Sequence, residues 1–125
     1  MPNKEVSQRQ LKVGQEIKRI IAGRIERGEI RNLNGIEALV TITEARVSPD
    51  LKICNVYFIA HPVDKNPEVL AALQLAAGHF RKQIAAGTEL RYVPSISFRI
   101  DETYAEVARI EELLRDPKVQ KDLKA

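Results

Sequence analysis

Apolar residues recur at steps of three and four from the start of the chain: Val13, Ile17, Ile20, Ile21 and Ile25 form one stripe. Ser7 stands where it can cap a helix and Gly28 where it can stop one, so the pattern predicts a helix over 7–28 with one face on a core. After the turn-rich stretch Arg31 to Gly35, the rhythm changes. ALVTITEARV, Ala38 to Val47, and KICNVYFIA, Lys52 to Ala60, are dense in β-branched and aromatic residues. With Ser48, Pro49 and Asp50 between them they predict an antiparallel hairpin, ended by His61 and Pro62. Both runs carry apolar residues on both faces, which predicts interior positions in a sheet covered by helices on at least one side.

A second helical rhythm follows. Asn66, Pro67 and Glu68 give a capping side chain, a preset φ and an acid at the positive helix end. Leu70, Leu73, Ala77, Phe80 and Ile84 then continue one stripe as far as Gly87. Ala76, Ala77 and Gly78 sit in its middle, where a glycine costs roughly 1 kcal/mol relative to alanine, and they predict a kink at Ala77 or Gly78. The run LRYVPSISFRID, Leu90 to Asp101, predicts a last strand, half exposed because Ile96, Phe98 and Ile100 alternate with Ser97, Arg99 and Asp101. Residues 102–114 return to helical spacing through Val107, Ile110, Leu113 and Leu114, and Pro117 ends the pattern. The expectation is one α+β domain over 1–114, a three-stranded sheet with helices packed on one face plus a C-terminal helix, and a charged, flexible tail over 115–125.

Composition narrows the function. The 125 residues are 44% hydrophobic, sufficient for one core, and 30% charged, without the ~20-residue apolar run that spans a bilayer. The polar N-terminus carries no apolar stretch of a secretory signal, and Cys54 is the only cysteine, inside an apolar run; both point to the cytoplasm. The net charge of +3 is modest, but residues 1–100 hold 15 Lys or Arg against 10 Asp or Glu, and residues 101–125 hold 5 against 7. A polyanionic partner would therefore dock on the first hundred residues. The outer face of the first helix, with Arg9, Lys12, Arg19 and Arg27, is one such surface.

Chemistry-bearing constellations are scarce. His61 and His79 have no second ligand at metal spacing, Asp101 and Glu102 sit where a helix cap is expected, and neither a phosphate-binding glycine loop nor a nucleophile motif occurs. The sequence thus predicts no catalytic residue, metal, cofactor, small-molecule substrate or membrane partner, and a monomer. The interrupted helix is more informative. K-homology RNA-binding domains join two helices by a glycine-containing turn that admits nucleic-acid backbone. The element order here fits their type II arrangement, with Ala76 to Gly78 in place of a G-x-x-G loop and a kink instead of an open turn.

The stretches GQEIKRII, VTITEARVSPDLKICNVYF, LRYVPSISFRID and RIEELL resemble those of bacterial ribosome-binding factor A, over about Arg9 to Leu114. The spacing of Arg91, Pro94, Phe98 and Asp101 is the most specific part, and Ser95 departs from the family's usual charged residue. The resemblance implies a type II K-homology-like fold, no enzymatic activity, and a role in maturation of the small (30S) ribosomal subunit: binding the free subunit, assisting processing of the 5′ end of 16S ribosomal RNA, and mattering most in the cold. The expected phosphate contacts are Lys12 and Arg19 on the first helix, Arg46 and Lys52 near the hairpin, and Arg81 and Lys82 beyond the kink. A protein-interaction module on the ribosome without direct RNA recognition is the alternative.

Overall fold

The computed structural model describes residues 6–115. Four helices and three strands follow in the order α1 (Gln8–Glu26), β1 (Leu39–Val47), β2 (Ile53–His61), α2 (Asn66–Leu75), α3 (Ala77–Gly87), β3 (Ser95–Ile100) and α4 (Glu102–Leu114). The sheet runs β1-β2-β3, with β1 and β2 antiparallel and β2 and β3 parallel. β2 is interior, as its two apolar faces predict; β1, for which the same pattern predicts an interior position, is instead an edge strand, its Val40, Ile42, Ala45 and Val47 on the core and Leu39 exposed. Except for Arg115, the expected tail at 115–125 lies outside the described residues.

Helix α1 begins in a capping box. The Ser7 hydroxyl accepts from the Gln10 N–H at 3.1 Å and the Gln10 side-chain oxygen accepts from the Ser7 N–H at 2.9 Å. Gln10 is itself buried, and its amide group donates to the Val47 carbonyl at 2.9 Å, so one side chain closes the cap and fastens α1 to the end of β1. Val13, Ile17 and Ile21 are buried as the stripe predicts, while Ile20 and Ile25 pack at its margin. Gly14 faces the sheet between them, where the backbone of β1 comes closest.

The main core lies between the sheet and α1, α2 and α3. It contains Cys54, Val56, Phe58 and Ala60 from β2, Phe98 from β3, and Val69, Leu73, Ala76, Phe80 and Ile84 from the helices. Phe80 and Phe98 meet with ring centroids 5.4 Å apart. Burial pushes the Cys54 thiol up to about 12, so at neutral pH it is a packing residue rather than a nucleophile.

Four further expectations need correction. First, Asn66 does not cap α2. The chain enters the helix through a 3₁₀ turn, Val63–Lys65, so Asn66 already has helical dihedrals, and its side chain accepts from the buried Ala60 N–H at 2.8 Å. Asn66→Ala would strand that donor, and an unsatisfied buried N–H costs about 2 kcal/mol. Urea unfolding should show a loss of that size, with Asn66→Asp, which keeps an acceptor, losing less. Second, the break between α2 and α3 falls inside the expected segment Ala76–Gly78 but at Ala76, not at Ala77 or Gly78. Ala76 has φ −89° and ψ 0°, and its N–H is shared between the carbonyls of Ala72 and Leu73. Ala77 and Gly78 already belong to the first turn of α3, and Phe80 N–H reaches the Ala76 carbonyl at 3.1 Å. The buried stripe Val69, Leu73, Ala76, Phe80, Ile84 crosses the break without interruption.

Third, β3 begins at Ser95, not Leu90; Leu90 to Pro94 form a non-strand segment anchored by the buried Pro94. Fourth, α4 lies on the other face of the sheet from α1, α2 and α3. It buries Ala105 and Ala108 against Ile59, while the residues that gave it helical spacing, Val107, Ile110, Leu113 and Leu114, are 47–60% exposed. Two polar ties hold it there. Asp101 caps it, accepting from the Tyr104 N–H and from the Thr43 hydroxyl at 2.6 Å, and Thr43 sits in the β1 register shift between Ile42 and Glu44. Glu112 accepts the Val63 N–H and lies 3.6 Å from His61.

Candidate nucleic-acid interface

Two adjoining grooves gather three of the six expected cations, Lys12, Arg19 and Lys52. One, about 380 Å³, runs between α1 and the segment after α3, with Arg9, Lys12 and Arg19 on one wall and Thr88 and Leu90 on the other. The second, about 810 Å³, lies between the start of α1, the β1–β2 turn and the segment before β3, and Arg9, Lys52 and Arg91 line it. Arg9 and Leu90 belong to both, so the two form one band. Arg81 joins from α3, its guanidinium donating to the Val93 carbonyl at 3.2 Å. The helix period of α1 and the hairpin turn thus bring together charges far apart in sequence. Three acids share the band, Glu16, Glu89 and Asp50. The Ser48 hydroxyl and then the Lys52 N–H hold the Asp50 carboxyl below its ordinary pKa.

Lys12, Arg19, Lys52 and Arg81 therefore fall on or against one band. Arg46 does not. It pairs with Asn55 across the sheet, on the face turned away from the main core, where its guanidinium meets Glu44 at 3.0 Å and stands 5.0 Å from the Tyr57 ring centre. That hydrogen bond to Glu44 raises the Arg46 pKa but already neutralises its charge locally. Lys82 is exposed beside Arg81 and lines neither groove. The band includes two residues that the sequence did not single out as contacts, Arg9 and Arg91. Arg9 was visible on the outer face of α1; nothing local in the sequence shows that Arg91, beyond α3, meets it.

The α2–α3 junction presents Gln74, Leu75, Gly78 and His79 to solvent, with Leu75 78% exposed. A Cβ placed on Gly78 would meet nothing within 4 Å. The glycine is therefore not demanded by packing inside the domain, and its outer side is open. On the opposite face of the sheet, α4 shows Tyr104, Val107, Ile110 and Leu114 among Glu102, Glu106 and Glu111, with Arg109 tied to Glu106 at 3.0 Å. Basic and acidic surfaces are thus separated by the sheet. Among the described residues no group of three His, Cys, Asp or Glu side chains could hold a metal ion, and no helix is long and apolar enough to cross a membrane.

Sheet order, the paired helices broken at a small-residue pivot and the one-sided basic band define a type II K-homology-like domain in which an alanine pivot stands in place of the glycine loop. The sequence profile of ribosome-binding factor A matches residues 9–114. The chain belongs to the ribosome-binding factor A family. It is 38% identical over 117 residues to ribosome-binding factor A of Bradyrhizobium diazoefficiens, covering 94% of this chain and 81% of that one. It is 39% identical over 120 residues to the Paramagnetospirillum magneticum protein of the same name, covering 96% and 84%. Among solved structures, ribosome-binding factor A from Thermus thermophilus superposes with a TM-score of 0.60 at 24% identity, over 73% of this chain and 94% of that one. A homology model of the Thermus thermophilus protein, fitted into a cryo-EM map of its complex with the 30S subunit, superposes with a TM-score of 0.56 at 24% identity, covering 69% and 88%.

Proposed function

We propose that this chain binds the free small ribosomal subunit through 16S ribosomal RNA and assists its maturation, including processing of the RNA 5′ end, with its greatest effect at low temperature. The band formed by Arg9, Lys12, Arg19, Lys52 and Arg91 carries the reading. Five cations from three separate segments on one surface suit a phosphate backbone, which they position without reading sequence. Family membership supplies the subunit, since a relative has been placed on 30S. The chain acts by binding, as a monomer in the cytoplasm; both carboxylate oxygens of Asp101 are engaged, in capping α4 and in holding Thr43.

The test is genetic. In a cold-grown strain lacking its own ribosome-binding factor A, this chain should restore growth and reduce 16S RNA carrying an unprocessed 5′ end. Normal growth restored with the 5′-extended RNA undiminished would sink the maturation role.

The α2–α3 pivot makes a second contact in this reading, its open outer side admitting RNA backbone. Gly78→Ala should then raise the unfolding midpoint, because alanine is favoured in a helix by roughly 0.5–1 kcal/mol, while lowering small-subunit affinity. Higher stability with unchanged affinity would remove the pivot from the interface. A protein contact through α4 is a second reading, favoured by its exposed apolar residues among acids: such a face suits a basic protein surface and repels RNA.

A further inference from the structure

The groove of about 810 Å³ holds a feature that phosphate binding does not use. Tyr92 stands on its wall 77% exposed, the Arg91 guanidinium 5.7 Å from its ring centre. A groove of that volume lies within the range of roughly 300–1,000 Å³ typical of small-ligand sites. Its floor is fixed. The Ser48 N–H donates to the Ile53 carbonyl at 2.8 Å, Asp50 accepts from the Ser48 hydroxyl at 2.6 Å and from the Lys52 N–H at 3.0 Å, and Leu51 takes a φ of +61° with its side chain on the core. A non-glycine residue held in the left-handed region costs about 1–2 kcal/mol, so the turn's shape is maintained against local preference. A fixed groove, an aromatic face open to solvent and cations on three sides suit a ligand with one planar apolar part and one anionic part.

The geometry points to a site for one unpaired RNA nucleotide, its base stacked on Tyr92 and its flanking phosphates on Arg9, Lys52 and Arg91. This rests on the RNA-binding reading above and deepens it: the protein would favour a strand in which a base is displaced from its helix over one fully paired. Stacking tolerates any base, because every base has a π-face. Asp50 sits in the same wall as an anion with one oxygen occupied by two donors, and leaves the other for the exocyclic amino group of adenine, cytosine or guanine. Uracil, which has no such group, should be the weakest of the four.

Anisotropy titrations of the full chain with three labelled RNAs test the site: a perfect duplex, the same duplex with one bulged adenosine, and the bulge with its base removed. The bulged RNA should bind about tenfold more tightly than the abasic one, the size of one base–aromatic stack. Tyr92→Ala should abolish that difference and Tyr92→Phe keep it, whereas Lys52→Ala should weaken all three RNAs alike. Because Tyr92 is exposed, its loss leaves the core untouched. Equal affinity of the unsubstituted protein for bulged and abasic RNA, or a preference that survives Tyr92→Ala, would overturn the site while leaving duplex binding intact. Binding to none of the three would instead fail the RNA-binding reading, and the site with it. Displacement of the bulged RNA by adenosine monophosphate at equal concentration would assign the groove to a free nucleotide and overturn its assignment to RNA.

Discussion

Replacing Arg9, Lys12 and Arg91 together by glutamate should reduce affinity for the free small subunit by about a hundredfold or more at physiological salt. A hydrogen bond to a charged group contributes about 1.5–3 kcal/mol, and reversal adds repulsion, so even partial loss at three positions reaches about 3 kcal/mol, or roughly a hundredfold. The salt dependence should flatten as well, because each lost phosphate contact removes about 0.7–0.9 from the slope of log K against log salt. All three side chains are exposed, so the unfolding midpoint should hold within a degree or two. Arg46→Glu provides the contrast. Its guanidinium is already committed to Glu44 on the other face of the sheet, so its reversal should leave affinity and slope nearly unchanged. Equal losses from Arg46→Glu and from the triple reversal would mean that net charge, rather than the band, governs binding.

Gly14→Val should unfold the domain more readily than any surface change described above. Gly14 is buried where α1 crosses β1, and an ideal Cβ there would lie 2.6 Å from the Ala45 carbonyl oxygen and 3.6 Å from a Val47 methyl. The obstacle is backbone on a strand fixed by its ladder to β2, so α1 itself must lift. Lifting it would strain the Gln10 bond to Val47 and loosen Val13 and Ile17. Overpacking of this kind costs about 1–3 kcal/mol and occasionally more, and valine's two γ-methyls place it at the upper end. Gly14→Ala should cost less, since alanine's better helix propensity returns roughly 1 kcal/mol. Denaturant midpoints that fall from the parent to Gly14→Ala and again to Gly14→Val would bear this out; a Gly14→Val protein as stable as the parent would show that α1 is not pinned to the strand. For α1, the loss of stability and the loss of the basic band coincide, because Arg9 and Lys12 ride on the helix that Gly14 seats.

The elements were legible where one residue's neighbours decide its fate. Ser7, the Val13–Ile17–Ile21 stripe and the β-branched runs around Ser48 to Asp50 gave α1 and the hairpin nearly to the residue. What failed depended on partners distant in sequence. Asn66 reads as a cap because capping is local, yet the orphan Ala60 N–H six residues earlier captures its side chain. Within Ala76–Gly78 the glycine, which lowers helix propensity, points to a bend at Ala77 or Gly78; the break falls at Ala76, a small residue at the centre of the buried stripe. Periodicity in 102–114 identified a helix correctly but misassigned its inner face: α4 approaches the sheet through Ala105 and Ala108, two small residues that a count of large apolar side chains ignores. The site was half legible. Helical spacing exposed Lys12 and Arg19, whereas the meeting of Arg9, Lys52 and Arg91 across three segments is a property of the closed fold. Arg46 stands apart from the band, and alternation along β1 shows that it shares a face with Glu44 but not that the two are partners on the face away from the band.

Sedimentation of the protein with separated small subunits, large subunits and whole ribosomes across a salt series decides whether the band is the ribosome-binding surface. Selective co-sedimentation with free small subunits, falling steeply as salt rises and lost in the triple glutamate variant, is the predicted result. Binding that is indifferent to salt, or equally strong on large subunits, would contradict an interface built on this band.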